Sequence, residues 1–365
     1  MCIPKKFLSA AAAFLAFSFA ASGCAPAQPS PSQPVNNAPS ETSQENSQQS
    51  ALVPATVPTL TQQGSASLEE SGQALNSDAP VVYMTADISP EGIMKAYKAL
   101  NRTPTGKVAV KLSTGEPPAS NYLDPNLIKD VVQEVNGTIV ECNTAYGGSR
   151  ANTAMHMQVA EDHGFTAIAD VDIMDAEGST SIPVVGGTNL TENFVGSHFS
   201  NYDSFLVLSH FKGHAMAGFG GALKNISIGI ASSDGKAHIH TGGKGGSIFS
   251  ADQDAFLESM AEAAKSVSDS LDHGNNMLFI NVMNRLSVDC DCNGNPAEPD
   301  MHDIGILASL DPVALDQACL DLVYNAPDGS SLIERIESRN GLHTVEHAET
   351  IGLGSRAYQL VNLDD

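Results

Sequence analysis

The chain has 365 residues, in which 42 Asp and Glu outnumber 18 Lys and Arg, and its formal net charge is −24. A charge of this sign disfavours nucleic acids and anionic lipid headgroups as partners, because both would be repelled. We therefore expect no nucleic-acid partner, and we expect any attachment to a membrane to come from a covalent lipid.

The N-terminus has the pattern of a bacterial lipoprotein signal peptide over residues 1–23. Two lysines precede an apolar run that is too short to span a membrane. The following "ASGC" resembles a lipobox, in which Cys24 becomes the lipidated first residue. We expect the protein to be lipid-anchored and extracytoplasmic, in the bacterial cell envelope. The alternative is an ordinary cleaved signal peptide with a chance cysteine.

Two further regions follow the signal peptide. Residues 24–78 are rich in Pro, Ser, Gln and Asn and have few large apolar residues, a composition that predicts a disordered tether. Residues 79–365 are long enough for one globular domain, either a single large domain or two packed lobes.

Short apolar runs alternate with helical patterns along residues 79–365. Three helices are predicted to begin at caps, Ser89, Asp124 and Asp311, each with Pro at the first helical position. The predicted strands, in chain order, are VVYMTA, KVAVKLS, TIVECN, SFLVLSHF, NMLFINVM and IGILASL. This alternation predicts an α/β fold, with a mostly parallel sheet and helices on both faces.

Polar residues follow several of the predicted strands. Cys142 and Asn143 close one strand, His210 closes another, and the segment from Asp289 follows a third. Ligands of open α/β sheets bind beyond the carboxyl ends of the strands. We therefore expect the functional site at this edge of the sheet.

The segment "SHFKGHAMAGFGGALKN" has features of an anion site. From His210 to Gly245 the chain holds four lysines and a single acid, Asp234, although the whole protein is acidic. The glycines permit a loop that turns several N–H groups toward one anion, and Arg150 near a predicted helix start can clamp an anion in bidentate fashion. The alternative is a structural Gly-rich turn. The predicted ligands of a small anionic molecule are Lys212, Gly218, Gly220, Gly221, Lys224, Asn225 and Arg150.

The stretch "DCDCNGNPAEPD" favours a metal site. Cys290 and Cys292 can bind a soft metal, iron or zinc, and His210 and His214 are candidates to complete the ligands. The spacing of these two histidines places both on one face if the segment is helical.

Two other interpretations of the same stretch stay open. Asp289, Asp291, Asn293 and Asp300 occupy ligand positions of a calcium loop, although the neighbouring prolines disfavour a helix-loop-helix. The compartment also permits a disulfide between Cys142 and Cys290 or Cys292. A bridge within the Cys290–Cys292 pair would close a small ring, and we expect such a bridge to be reduced easily. Cys319 has the spacing of a core residue in a helix.

Several longer stretches, taken together and in order, resemble the domain of unknown function 362 family. They are VKLSTGEPP, CNTAYGGSRANTAMHMQVAEDHGF, SHFKGHAMAGFGGALKNISIG, DCDCNGNP, DIGILASLDPVALDQACLDLVY and HAETIGLGSRAYQLVNLD. Members of that family are commonly labelled iron-sulfur or ferredoxin-related, because many carry an added run of closely spaced cysteines. This sequence has no Cys-x-x-Cys-x-x-Cys run, so the resemblance implies no ferredoxin-type cluster here.

Two hypotheses about function follow. The first is a lipid-anchored protein that binds a metal through the cysteines and a small anionic ligand beside it, as a redox accessory or a metal-dependent enzyme. The second is a non-catalytic lipoprotein that binds a small anion or a metal, with residues 289–300 as a calcium or disulfide staple. The sequence leaves the choice between enzyme and binding protein open.

Overall fold

The computed structural model describes residues 78–249 and 251–365. The predicted signal peptide, Cys24 and almost all of the predicted tether lie outside these residues. Within them, no helix is long and apolar enough to cross a membrane.

The described residues form twelve strands and nine α-helices. The strands are β1 Val81–Thr85, β2 Val108–Lys111, β3 Thr138–Glu141, β4 Val171–Ile173, β5 Ser179–Pro183, β6 Glu192–Gly196, β7 Ser204–His210, β8 Lys212–His214, β9 Gly218–Gly220, β10 Met277–Met283, β11 Gly305–Ser309 and β12 Gln359–Asn362. The helices are α1 Pro90–Ala99, α2 Pro125–Glu134, α3 Thr153–Asp162, α4 Ala222–Ile226, α5 Ser233–His240, α6 Gln253–Ser270, α7 Pro312–Asn325, α8 Ser330–Ser338 and α9 His343–Thr350.

The three predicted helix starts are confirmed. The Ser89 side chain accepts a hydrogen bond from the Gly92 amide, and Asp124 and Asp311 cap α2 and α7 in the same way. Each cap is followed by proline, whose missing N–H costs nothing in the first turn.

Eight strands form one sheet in the order β12-β1-β11-β10-β7-β2-β3-β4. The run from β10 to β4 is parallel, and β11 is antiparallel to both of its neighbours. The predicted α/β class with a mostly parallel sheet is therefore confirmed. Two small hairpins, β5-β6 and β8-β9, lie outside the large sheet.

Alternate residues of the central strands supply two cores on opposite faces of the sheet. Leu206 and Leu208 of β7 pack with α1 and α2, whereas Phe205 and Val207 pack with α4, α6 and α7. Both faces are covered, which explains why these strands are apolar throughout. Because β2, β3, β7 and β10 are parallel, their carboxyl ends share one edge.

Candidate functional site

A cavity of about 290 Å³ lies at the shared carboxyl edge of the central strands. The ends of β2, β3 and β7 contribute Lys111, Glu141 and His210 to its wall, and the segment after β10 contributes the two cysteines. This cavity thus lies at the edge of the sheet where the sequence predicts the site. It is the position that the fold favours for ligands.

The cavity is cationic although the protein is acidic. Among the described residues that line it, the ionised side chains are four cations and two carboxylates, namely Lys111, Arg150, Lys224, Lys236, Glu141 and Asp291. A positive, partly enclosed surface on an acidic protein concentrates small anions.

Glu141 neutralises part of this charge at the base of the cavity. Its carboxylate lies 3.0 Å from Nζ of Lys111 and 3.3 Å from Nη1 of Arg150, and it accepts the amide of Thr114 at 3.1 Å. Burial alone would raise the pKa of Glu141, but the charges of Lys111, His156 and Arg150 outweigh burial and lower it to about 2. Glu141 is therefore an ionised counter-charge.

Arg150 has its own partners and is not a free anion clamp. Its Nε is 3.1 Å from Glu116, its Nη1 is 3.3 Å from Glu141, and its Nη2 donates to the Tyr146 hydroxyl at 3.3 Å. The Arg150 guanidinium is therefore already paired with the carboxylates of Glu116 and Glu141 in the cavity wall. A bidentate contact with a ligand would require the guanidinium to break these ion pairs.

Lys224 lacks both a counter-charge and a hydrogen-bond partner among the described residues. It is half-buried on α4 and lines the cavity, and within the described part of the chain its Nζ has no hydrogen-bond or ion-pair partner. Burial, together with the nearby charge of Lys111, lowers its pKa to about 8. An anion bound here would supply the missing partner.

Lys236 and Asn225 are held by neighbouring groups. Lys236 donates to the carbonyls of Ala231 at 2.6 Å and Cys142 at 3.4 Å, and it has no carboxylate partner within residues 78–249 and 251–365. Asn225 accepts from Lys111 and donates to the Lys111 and Leu208 carbonyls. Asn225 therefore joins the ends of β2 and β7 and fixes the ammonium group of Lys111.

The predicted glycine-rich anion loop has a different role. Gly220 and Gly221 line the cavity but Gly218 does not, and the first amides of α4 donate to the buried carboxylate of Asp316. A Cβ at Gly221 would lie 2.3 Å from Asp316. Close packing explains this glycine, and the amides of Ala222 and Leu223 are used within the protein.

Lys212 also lies outside the cavity wall. It is buried on β8, where its Nζ forms an ion pair with Asp291 and donates to the Asn121 carbonyl at 3.3 Å. The ammonium group of Lys212 thus fixes the segment after β10 through its ion pair with Asp291.

Cys290 and Cys292 form a disulfide with each other, and both are half-buried in the cavity wall. Cys142 is a buried free thiol whose Sγ donates to the Ile230 carbonyl at 3.3 Å, so the two bridges that would involve it are wrong. Cys319 is fully buried in the core, as its spacing predicts.

His214 completes a group that could hold a metal. One of its ring nitrogens and the two sulfurs lie within 4.8 Å of one another, and no other described residues form such a group. In the disulfide state the sulfurs are not thiolates, so metal binding requires reduction of the bridge.

The hydrogen bonds of His214 define its tautomer. Its Nδ1 accepts the amides of Ala217 at 2.9 Å and Met216 at 3.2 Å, so the neutral ring carries its proton on Nε2. Burial, with the nearby charge of Lys224, lowers the pKa of His214 well below its usual value. The ring is a neutral N–H donor here, whereas a metal-bound histidine ordinarily donates through its other nitrogen.

His210 is not part of this group. Its Nε2 donates to the Asn284 carbonyl at 2.7 Å, and its Nδ1 lies 3.4 Å from Asp291. The segment is a strand followed by the β8-β9 hairpin, so His210 and His214 do not share a helix.

The carboxylates of the predicted calcium loop do not converge. Asp291 pairs with Lys212, Asp289 pairs with Arg335 at 3.2 Å, and Asn293 caps the amide of Asn295. Asp300 is exposed and belongs to no metal-ligand group among the described residues. The two carboxylates nearest the cysteines are thus paired with Lys212 and Arg335 and not directed toward one common point.

Sequence reasoning missed Lys111 and Glu141 as members of the site, and it counted Lys236 only as one of four lysines in a cationic segment. A usable signal was present for two of them, because "KVAVKLS" and "TIVECN" each place one charged residue in an otherwise apolar strand. Such a residue is buried only with a partner, and these two are partners of each other.

The fold and this cavity together define an α/β protein with a cationic site at the carboxyl edge of its sheet. The family model "Domain of unknown function (DUF362)" matches residues 108–321, and the chain belongs to this family. The matched residues include the cationic wall of the cavity and both cysteines.

Two solved structures are similar to parts of the chain. The lactate racemase apoprotein from Thermoanaerobacterium thermosaccharolyticum has 15% identity and a TM-score of 0.34, with 55% of this chain and 50% of that chain covered. A structural-genomics protein from Thermotoga maritima has 11% identity and a TM-score of 0.35, with 72% and 58% covered. This chain thus spans only half to three fifths of the length of each. No curated protein matches it.

Proposed function

We propose that the protein is a lipid-anchored, extracytoplasmic redox accessory protein that binds a small anionic molecule in the cavity beside the Cys290–Cys292 pair. The observation that carries the proposal is Lys224, a desolvated ammonium group without a counter-charge on the cavity wall. Burial of an unpaired charge is unfavourable. The arrangement is therefore explained best if a ligand supplies the negative charge.

Further charges favour an anion over a neutral ligand. Lys236 also faces the cavity without a carboxylate partner, whereas the two lining carboxylates, Glu141 and Asp291, already have lysine partners. A carboxylate or phosphate group would thus meet two cations and no unpaired acid.

The test is ligand-induced stabilisation of the full chain by inorganic phosphate and by succinate. The reference chain carries Cys2→Ser and Cys24→Ser, so that it is not lipidated. We expect either anion to raise its melting temperature, and we expect Lys224→Met to abolish the increase. The matched control is Lys98→Met, which removes the same charge from an exposed position on α1. Equal responses of the two variants would contradict the proposal.

A second candidate function is binding of iron or zinc by the reduced cysteines with His214, which the proximity of the three groups favours. It requires Nε2 to lose its proton or Nδ1 to give up its two amide donors. The reduced reference chain, equilibrated with Zn²⁺ without oxygen, should then retain one zinc that is lost in His214→Gln. Equal zinc in reduced and oxidised protein would exclude the cysteines as ligands.

A further inference from the structure

We propose that the Cys290–Cys292 disulfide oxidises small thiols that carry a carboxylate or phosphate group, by thiol–disulfide exchange inside the cavity. The inference rests on the proposed function, because the same cations would bind the acidic group of the thiol. It adds the class of substrate and the role of each sulfur.

The disulfide is held at the cavity wall by contacts that do not involve its sulfurs. The residue between the two cysteines, Asp291, is buried in its ion pair with Lys212, and its carbonyl accepts the Glu116 amide at 2.8 Å. The Tyr146 hydroxyl donates to the Cys292 carbonyl at 3.3 Å. Because these contacts do not depend on the S–S bond, we expect both sulfurs to stay at the cavity in the dithiol state.

The two sulfurs differ in how well each would leave as a thiolate. Sγ of Cys290 accepts the amide of Cys292 at 3.3 Å, and an N–H group stabilises a thiolate more than a neutral sulfur. A substrate thiolate would therefore attack Sγ of Cys292, and Cys290 would leave.

His214 supports the same step. One of its ring nitrogens lies within 4.8 Å of both sulfurs, and its neutral ring carries an Nε2–H group. This N–H group would stabilise the thiolate that forms, while Nδ1 would keep its two amide contacts. His214 acts here through hydrogen bonding and need not change its protonation state.

The reaction balances with two substrate thiols. The first thiolate forms a mixed disulfide with Cys292 and breaks the bond to Cys290. A second substrate thiolate then attacks the substrate sulfur of the mixed disulfide, and Cys292 leaves. The two substrate thiols lose two electrons and become a disulfide, the protein disulfide gains them, and the two thiol protons pass to the cysteines or to water.

The experiment is a single turnover of the oxidised reference chain without oxygen. It is mixed with 3-mercaptopropionate, which is anionic, or with 2-mercaptoethanol, which is neutral. New protein thiols are trapped by alkylation and counted by mass spectrometry, and rate constants are expressed per thiolate. We expect 3-mercaptopropionate to be faster by about tenfold or more. We expect Lys224→Met to remove that preference and Lys98→Met to preserve it.

Equal rate constants for the two thiols, or no reduction of the bridge by either, would overturn the inference. Phosphate-induced stabilisation is measured on the same samples. If phosphate still stabilises the chain when exchange fails, the inference is wrong and the anion site stands. If neither occurs, both proposals are wrong.

The position of the mixed disulfide tests the order of attack. Single-turnover samples of the oxidised reference chain are quenched by alkylation, and the cysteine that carries 3-mercaptopropionate is located by tandem mass spectrometry. We expect the adduct on Cys292 and the alkyl group on Cys290. An adduct mainly on Cys290 would overturn the assignment of Cys290 as the leaving sulfur.

Discussion

Replacement of Lys224 by methionine should stabilise the protein while it removes the proposed anion site. Burial lowers the pKa of Lys224 from 10.5 to about 8. A pKa difference of one corresponds to about 1.4 kcal/mol, so keeping this ammonium group charged in the folded protein costs roughly 3 kcal/mol at neutral pH. Methionine fills a similar volume without a charge.

The stabilisation expected for Lys224→Met depends on pH. The folded-state pKa of Lys224 lies below the unfolded value, so the folded protein binds fewer protons than the unfolded chain between pH 8 and 10.5. The stability of the parent therefore rises across this range. The advantage of Lys224→Met should be full below pH 8 and vanish near pH 10.5.

The assay is denaturation by urea and by heat without added anions. A gain of roughly 3 kcal/mol corresponds to a rise in melting temperature of about 5 °C for a domain of this size. Lys98→Met should change stability by less than about 1 kcal/mol. Lys212→Met should lower it by about 3–5 kcal/mol, because the buried carboxylate of Asp291 loses its partner. Unchanged or lower stability of Lys224→Met would refute the view that Lys224 is a desolvated, unpaired cation.

Three further predictions concern other groups. The pKa of Glu141 is lowered from 4.5 to about 2, so its ionised form contributes roughly 3 kcal/mol to the free energy of unfolding above pH 4.5, and this contribution is lost as the pH falls toward 2. Urea denaturation of Glu141→Gln should lack this acid dependence. An unchanged dependence would contradict the assignment of Glu141 as an ionised counter-charge. Burial raises the pKa of the Cys142 thiol to about 12, and Cys319 is fully buried. The oxidised native reference chain should therefore show no reactive thiol in a colorimetric assay, two in denaturant and four after reduction. Metabolic labelling with a fatty acid should mark the parent in the membrane fraction and not Cys24→Ala; equal labelling would exclude lipidation at Cys24.

The sheet and its helices were predictable because local chemistry specifies them. Mainly apolar runs marked the buried parallel strands, and Ser-Pro and Asp-Pro pairs marked helix starts. Parallel strands carry their carboxyl ends to one edge, so the location of the site also followed. The β8-β9 hairpin was not predicted, because its strands have three residues each, are rich in glycine and lack a clear period.

The roles of individual site residues were less predictable, because they depend on partners distant in sequence. Arg150 and Lys212 looked like free cations, yet Glu116, Glu141 and Asp291 neutralise them. Charge counts along a sequence do not reveal which cation keeps no partner after folding. The choice among metal, calcium and disulfide likewise depended on where the neighbouring carboxylates and lysines lie.

The most direct test of the central claim is the pKa of Lys224 with and without an anion. The amines of the reference chain are reductively methylated with ¹³C-formaldehyde, and the Lys224 resonance is assigned by its absence in Lys224→Met. We expect this resonance to titrate near pH 8 in the free protein and at least about one pH unit higher when phosphate is saturating, since a bound anion favours the charged amine. A titration midpoint at the ordinary lysine value, or one that phosphate does not move, would contradict the assignment of Lys224 as the anion-binding cation.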